Sequence, residues 1–147
     1  IDVVVQHEEK FYVVDYKSNF LGFELQDYDQ TKLFESMIDH HYHLQALIYL
    51  LALHRFLATR LTDYNYDLHV GGAVYLYVRG MDEKDDTGVY KFEVNYDVIQ
   101  YLDNALKQHD VAKHDLAQNA DTGESKSAGT DVKIVDEGLW SQKGFGF

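Results

Sequence analysis

The part of this chain that leaves the least conformational freedom is its opening, IDVVVQHEEKFYVVDYKSN. Two runs of β-branched and aromatic residues, IDVVV and FYVVDYK, flank the polar QHEEK, a pattern that predicts a β-hairpin. With the turn centred between Glu8 and Glu9, His7 faces Lys10, Gln6 faces Phe11 and Asp2 faces Asp15. Directly opposed residues have Cβ atoms about 4.5–5.5 Å apart. Lys17 lies two positions beyond Asp15 and therefore on the same face. One hairpin gathers two carboxylates and an ammonium.

Charged side chains are seldom buried unless they are paired or bind a metal. Opposed carboxylates destabilise a sheet, and a divalent cation removes the conflict. Oxygen ligands of this kind suit Mg²⁺, or Mn²⁺ in its place, with the backbone carbonyl near Tyr16 as a further donor. Lys17 beside such an ion would orient a water or stabilise charge developing on a phosphate, as metal-assisted phosphodiester hydrolysis requires. The alternative is an ordinary surface ion pair of Asp15 and Lys17 at a strand end, with Asp2 unrelated. Spacing alone leaves both readings open, because a one-residue slip in register would separate the carboxylates.

Further along, Leu33, Phe34, Met37 and Ile38 share one face of a helix that begins near Gln30 and ends around DHHYH. A second helix over 44–61 is apolar nearly all round, which predicts burial on several sides. Within it Gln45 and Tyr49 are four apart and share a face. They either look into a polar cleft and hold substrate or an active-site residue, or are a rim glutamine and a core aromatic. GGAVYLYVRG and GVYKFEV read as paired strands, and NYDVIQYLDNALKQ as an amphipathic helix. From His109 the composition turns to Ala, Asp, Ser, Thr, Gly and Lys, which divides the chain into a domain over 1–108 and a polar tail over 109–147. Leu139, Trp140, Phe145 and Phe147 near its end form a candidate motif for docking on a partner. His40, His41 and His43 diverge at a helix end and are expected to be solvated rather than metal-binding. Ser18, Asn19 and Gln30 are candidates for touching a phosphate or supporting the site, and Arg79 is a surface charge at a strand end.

At 147 residues and 46% apolar content the chain can bury a core of its own. It has no cysteine, which rules out disulfides and thiolate-bound zinc and fits an intracellular setting. No run is long enough to span a bilayer. Its net charge of −12 comes without a basic patch, so a nucleic-acid substrate would need attraction from outside this chain. It opens within a strand and without methionine, and is expected to be a piece of something longer.

ID on one strand, DYKSN on the next and LQALIYLLALHRFL on a helix together resemble the RecB-type nucleases of the PD-(D/E)XK superfamily. The likeness runs on through DYNYDLHVGGAVYLYVRG and covers most of 1–108. It implies an α/β, restriction-endonuclease-like fold, a mixed sheet flanked by helices, here lacking its N-terminal part. It implies Asp2 and Asp15 as magnesium ligands, Lys17 as the catalytic lysine, and Gln45 and Tyr49 as the Q-x-x-x-Y motif beside the DNA strand. It also implies the exodeoxyribonuclease part of a cytoplasmic bacterial helicase–nuclease that processes double-strand breaks for recombination, with RecC- and RecD-like subunits as partners. ATP would bind only in the helicase part, whose motifs are absent. Ile1 stands at the superfamily's proline position. A further histidine ligand and the first core strand are expected upstream of Ile1, so the chain alone is expected to cut DNA weakly or not at all. The competing class is a nuclease-like scaffold without catalysis.

Overall fold

The computed structural model describes residues 2–83 and 86–121, with the backbone alone described at 110, 112 and 114–121. Ile1 and the tail residues Leu139, Trp140, Phe145 and Phe147 lie outside the described residues. Contacts divide the chain into Ile1–Asp110, which holds the whole sheet, and Val111–Phe147.

The hairpin forms in the expected register. β1 (Val3–His7) and β2 (Lys10–Lys17) run antiparallel, pairing Val3 with Val14, Gln6 with Phe11 and His7 with Lys10. Their turn places Glu8 in the left-handed region at φ 55. On the other side of β2 lies β3 (Val70–Tyr77), parallel to it, followed by antiparallel β4 (Val89–Phe92). The order β1-β2-β3-β4 makes a mixed sheet in which β2 is internal and, among the described residues, β1 is an edge. At the start of β3 the register with β2 shifts between Phe11 and Tyr12. Gly72 sits there at φ 110, and a Cβ on it would lie 2.7 Å from the Phe92 carbonyl oxygen. Only glycine fits both the conformation and the space.

The connection from β2 to β3 carries the helices, as parallel strands require. Asp29 caps α1 (Gln30–Asp39) by accepting from the Lys32 amide at 2.9 Å. His41, in the left-handed region at φ 55, breaks α1 from α2 (Tyr42–Arg60). A single turn, α3 (Tyr66–His69), leads into β3. The two long helices cover the sheet face that carries Val13, Asp15, Lys17, Tyr75 and Tyr77, where Leu33, Met37, Leu50 and Leu57 complete the core. Gln30 spans from α1 to the β3–β4 turn through the carbonyls of Asp86 and Val89, both at 2.9 Å.

The final helix departs from expectation. α4 (Tyr96–Asp121) continues through 109–121, which composition assigned to a tail. No glycine or proline interrupts the chain between Tyr96 and Asp121, so nothing stops the helix. Ile99 enters the core, and the buried Asp103 binds Arg55 of α2 at 2.6 Å and Lys107 at 2.5 Å. The Lys107 bond, then that of Arg55, holds the Asp103 carboxyl below the usual carboxylate range. Among the described residues no helix is long and apolar enough to cross a membrane.

At the junction of α1 and α2, His40 meets the Ser36 carbonyl through Nδ1 at 2.9 Å and stacks on Tyr42 at 5.2 Å. His43, however, is only partly solvated. It is half-buried and meets Phe34, Tyr90 and Phe92 edge-on, with centroids 5.4–6.1 Å apart. Burial therefore lowers its pKa from the ordinary 6.5. Below that pH the unfolded chain takes up a proton that the folded one resists, so stability falls as pH drops through about 6.5. His43→Phe, which keeps the ring contacts, should reduce the fall in urea midpoint between pH 7.5 and 5.5; an unchanged fall would place the sensitivity elsewhere.

Candidate active site

A lysine buried in a sheet face needs three things: a counter-charge, hydrogen-bond acceptors and no vacant polar contacts. Lys17 is 8% exposed and Asp15 is 6% exposed, so neither belongs to a strand fraying into solvent. Lys17 Nζ lies 2.5 Å from Asp15 Oδ2 and donates to Gln45 Oε1 at 3.0 Å. It also sits 3.7 Å from the centre of the Tyr42 ring and 5.2 Å from that of Tyr75, within cation–π range. The surface-ion-pair reading therefore fails on burial: the pair is enclosed and held from three sides.

Each partner comes from a different element. The alternation of β2 puts Asp15 and Lys17 on one face, and the parallel register brings Tyr75 of β3 beside Asp15. The first turn of α2 supplies Tyr42 and Gln45, three apart and hence on one side of the helix. The Tyr75 hydroxyl donates toward the Tyr42 carbonyl at 3.1 Å and Gln45 Oε1 at 3.3 Å. Burial, reinforced by the nearby Asp15 carboxylate, pushes the Tyr75 phenol well above its ordinary range, so it remains a donor. The Tyr42 and Tyr75 rings stack at 6.0 Å. Gln45 Oε1 thus serves both the ammonium and a phenol.

Asp2 stands one step past the last paired residue of β1. Its amide donates to the Val14 carbonyl at 3.3 Å, and its carboxylate accepts from the Tyr16 amide at 2.8 Å. Asp2 is exposed, and so is the Tyr16 ring. The two aspartates therefore occupy the open end of the hairpin, one at the surface and one enclosed. Tyr49 is half-buried against the core, one turn beyond Gln45. Asn19 is a support: its side chain meets His40 at 3.3 Å and accepts from the Tyr42 hydroxyl at 3.4 Å. The Ser18 carbonyl accepts from Arg79 Nε at 3.0 Å, so Arg79 is anchored rather than loose at a strand end.

Sequence reading missed Tyr42 and Tyr75, the aromatic walls around Lys17. Their signals were present: Y-x-x-Q at helical spacing and Tyr75 in alternation with Tyr77. Neither stands out until the strand pairing places Tyr75 beside Asp15 and α2 brings Tyr42 over Lys17.

A family model described as the PD-(D/E)XK nuclease superfamily matches residues 1–131. The chain is similar to the RecBCD enzyme subunit RecB of Haemophilus influenzae, 46% identical over 106 residues, 72% of this chain and 9% of that protein. It is 43% identical over 104 residues to the RecBCD enzyme subunit RecB of Escherichia coli, covering 70% of this chain and 9% of that protein. Against the subunit of the same name from Mycobacterium tuberculosis it is 49% identical over 82 residues, 55% of this chain and 8% of that protein. The chain thus spans less than a tenth of the length of these curated relatives.

Removing the ammonium should be costly to the fold itself, because it strips a buried carboxylate of its counter-charge. Lys17→Met is expected to lower stability by about 3–5 kcal/mol in urea unfolding. Adding Asp15→Asn to it should restore a large part of that loss. A Lys17→Met variant as stable as wild type would mean that the pair is not enclosed in solution.

Proposed function

The chain belongs to the PD-(D/E)XK nuclease superfamily, and from that premise we propose that it is nuclease-domain sequence of a RecB-type subunit, hydrolysing DNA phosphodiester bonds with Mg²⁺. What carries the reading is the enclosed Asp15–Lys17 pair, two residues apart on an internal strand and tied to Gln45 of a covering helix. A structural ion pair needs no such location. A reaction that builds negative charge on phosphate does.

The donor chemistry fits a hard cation. Asp2 and Asp15 would hold it, with the Tyr16 carbonyl as a further oxygen; Mg²⁺ is commonly held by one or two carboxylates while keeping several waters, and Mn²⁺ accepts the same donors. That the Asp2 carboxylate accepts from the Tyr16 amide supports this, because it fixes ligand and peptide together. When bound, the ion supplies Lewis-acid polarisation of the phosphate and eases ionisation of water. The chain's own contribution is position. Lys17 is held by Asp15, Gln45 and the Tyr42 ring, so its charge is in place before substrate arrives. As water oxygen bonds to phosphorus and the bond to one sugar oxygen breaks, charge grows on the phosphoryl oxygens, and the ammonium stabilises it. Gln45 acts through Lys17 and is a positioning residue. Tyr49 is assigned to the DNA side of the same helix.

The substrate of this reading is linear DNA, delivered as single strands by the motor of a bacterial, cytoplasmic helicase–nuclease with RecC- and RecD-like partners. A net charge of −12 accords with a nuclease whose DNA is brought to it by other basic surfaces. ATP has no role at these residues.

The test is Mg²⁺-dependent degradation of linear DNA by the full parent polypeptide assembled with its partner subunits, with ATP-driven unwinding followed in parallel. Lys17→Gln should slow cleavage by about 10²–10³-fold, the cost of losing one charge-stabilising donor, and leave unwinding intact. If cleavage survives alongside unwinding, Asp15 and Lys17 are a structural pair and the scaffold reading replaces this one.

A further inference from the structure

Just past Lys17 the chain leaves the sheet in a loop that turns its rings outward. Phe20 is 58% exposed and Phe23 is 92% exposed, and the two meet edge-on at 5.0 Å and 74°. The display does not come from slack backbone. The Leu21 amide donates to the buried Tyr28 hydroxyl at 3.2 Å, that hydroxyl reaches the Asn19 carbonyl at 3.5 Å, and the Glu24 amide donates to Asp27 Oδ2 at 3.0 Å. Gly22 lies so close to Asp27 that a Cβ would fall 2.0 Å from its carboxylate. A braced loop that leaves two phenylalanines in water sacrifices apolar burial that the fold could have used. Alongside it, Arg79 is tied through Nε to the Ser18 carbonyl, is exposed, and carries no ion pair among the described residues.

We propose that Phe20 and Phe23 form a base-stacking platform that, with Arg79 on the neighbouring phosphate, holds single-stranded DNA at the mouth of the Lys17 site. The inference rests on the nuclease reading above and adds how the strand is held. Bare rings can stack only on bases out of the duplex, and every base has a face to offer, so such a grip tolerates any sequence. Local charge works against a grip on the phosphate backbone. With Glu24, Asp27 and Asp29 in and beside the loop and a net charge of −12, a row of phosphates gains little here. Base faces and a single cation supply the attraction instead. Arg79, anchored to the carbonyl of Ser18, the residue that follows Lys17, sets the position of that neighbouring phosphate.

The experiment uses the parent enzyme with its partner subunits and no ATP, cleaving a short single-stranded oligonucleotide in Mg²⁺, compared with one containing abasic sites. Phe20→Ala with Phe23→Ala should raise KM by about ten- to hundredfold, leave kcat near wild type, and erase the preference for the base-containing strand. Phe20→Trp with Phe23→Trp should keep that preference. Arg79→Gln should lower the slope of affinity against salt by about one while the preference remains. An unchanged KM and abasic preference in the double alanine variant, with Lys17→Gln still inactive, overturns the platform and leaves the nuclease reading standing. Failure of that variant to assemble with its partners also overturns it, showing the rings to be a protein interface. If wild type leaves both strands uncut, the nuclease reading falls and takes the platform with it.

Discussion

An ammonium and a carboxylate enclosed between a sheet and a helix set the terms for everything around them. Taking either charge out of water costs several kcal/mol, so about as much must be returned by contacts made to them. Here the return comes from three directions: Asp15 in the same strand, Gln45 from the helix above, and the faces of Tyr42 and Tyr75. Each of these groups is then constrained in turn. Gln45 can accept from Lys17 only if α2 begins at Tyr42, and α2 begins there because His41 takes a left-handed conformation to end α1. Tyr75 reaches the site because β3 pairs parallel to β2 in a register released by Gly72. The pair is therefore less a stabilising feature than a specification that several elements meet together.

Much of this was legible in the sequence for physical reasons. The hairpin register followed from a symmetric run of β-branched residues around a short polar turn, and the observed pairing is the expected one. The fold class followed from the resemblance carried by ID, DYKSN and LQALIYLLALHRFL. What could not be read was what depends on packing between distant segments. Tyr42 and Tyr75 are ordinary aromatics in their own neighbourhoods and acquire meaning only once β2 and β3 are side by side. His43 was expected in solvent because DHHYH is polar locally, yet Phe34, Tyr90 and Phe92 close over it. The extension of α4 was missed for the opposite reason. Composition suggested a linker, whereas the absence of any helix-breaking residue was the better guide.

The two aspartates also show how unequal a pair of carboxylates can be within one hairpin. Asp15 is buried on an internal strand and engaged with an ammonium, while Asp2 stands at the end of an edge strand and engages a peptide amide. One is fixed by the core and the other by a local backbone contact. Such an arrangement encloses its charged centre while its outer rim stays open to solvent.

The bond from Lys17 to Gln45 joins residues far apart in the chain, and it exists only when α2 is seated on the sheet. A partly synthesised or locally opened chain has the aspartates and the lysine in the right order but no means of holding them in place. Under the proposed nuclease reading, cleavage would be conditional on completed folding. For a chain proposed to cut DNA, that dependence would act as a safety catch written into the tertiary structure.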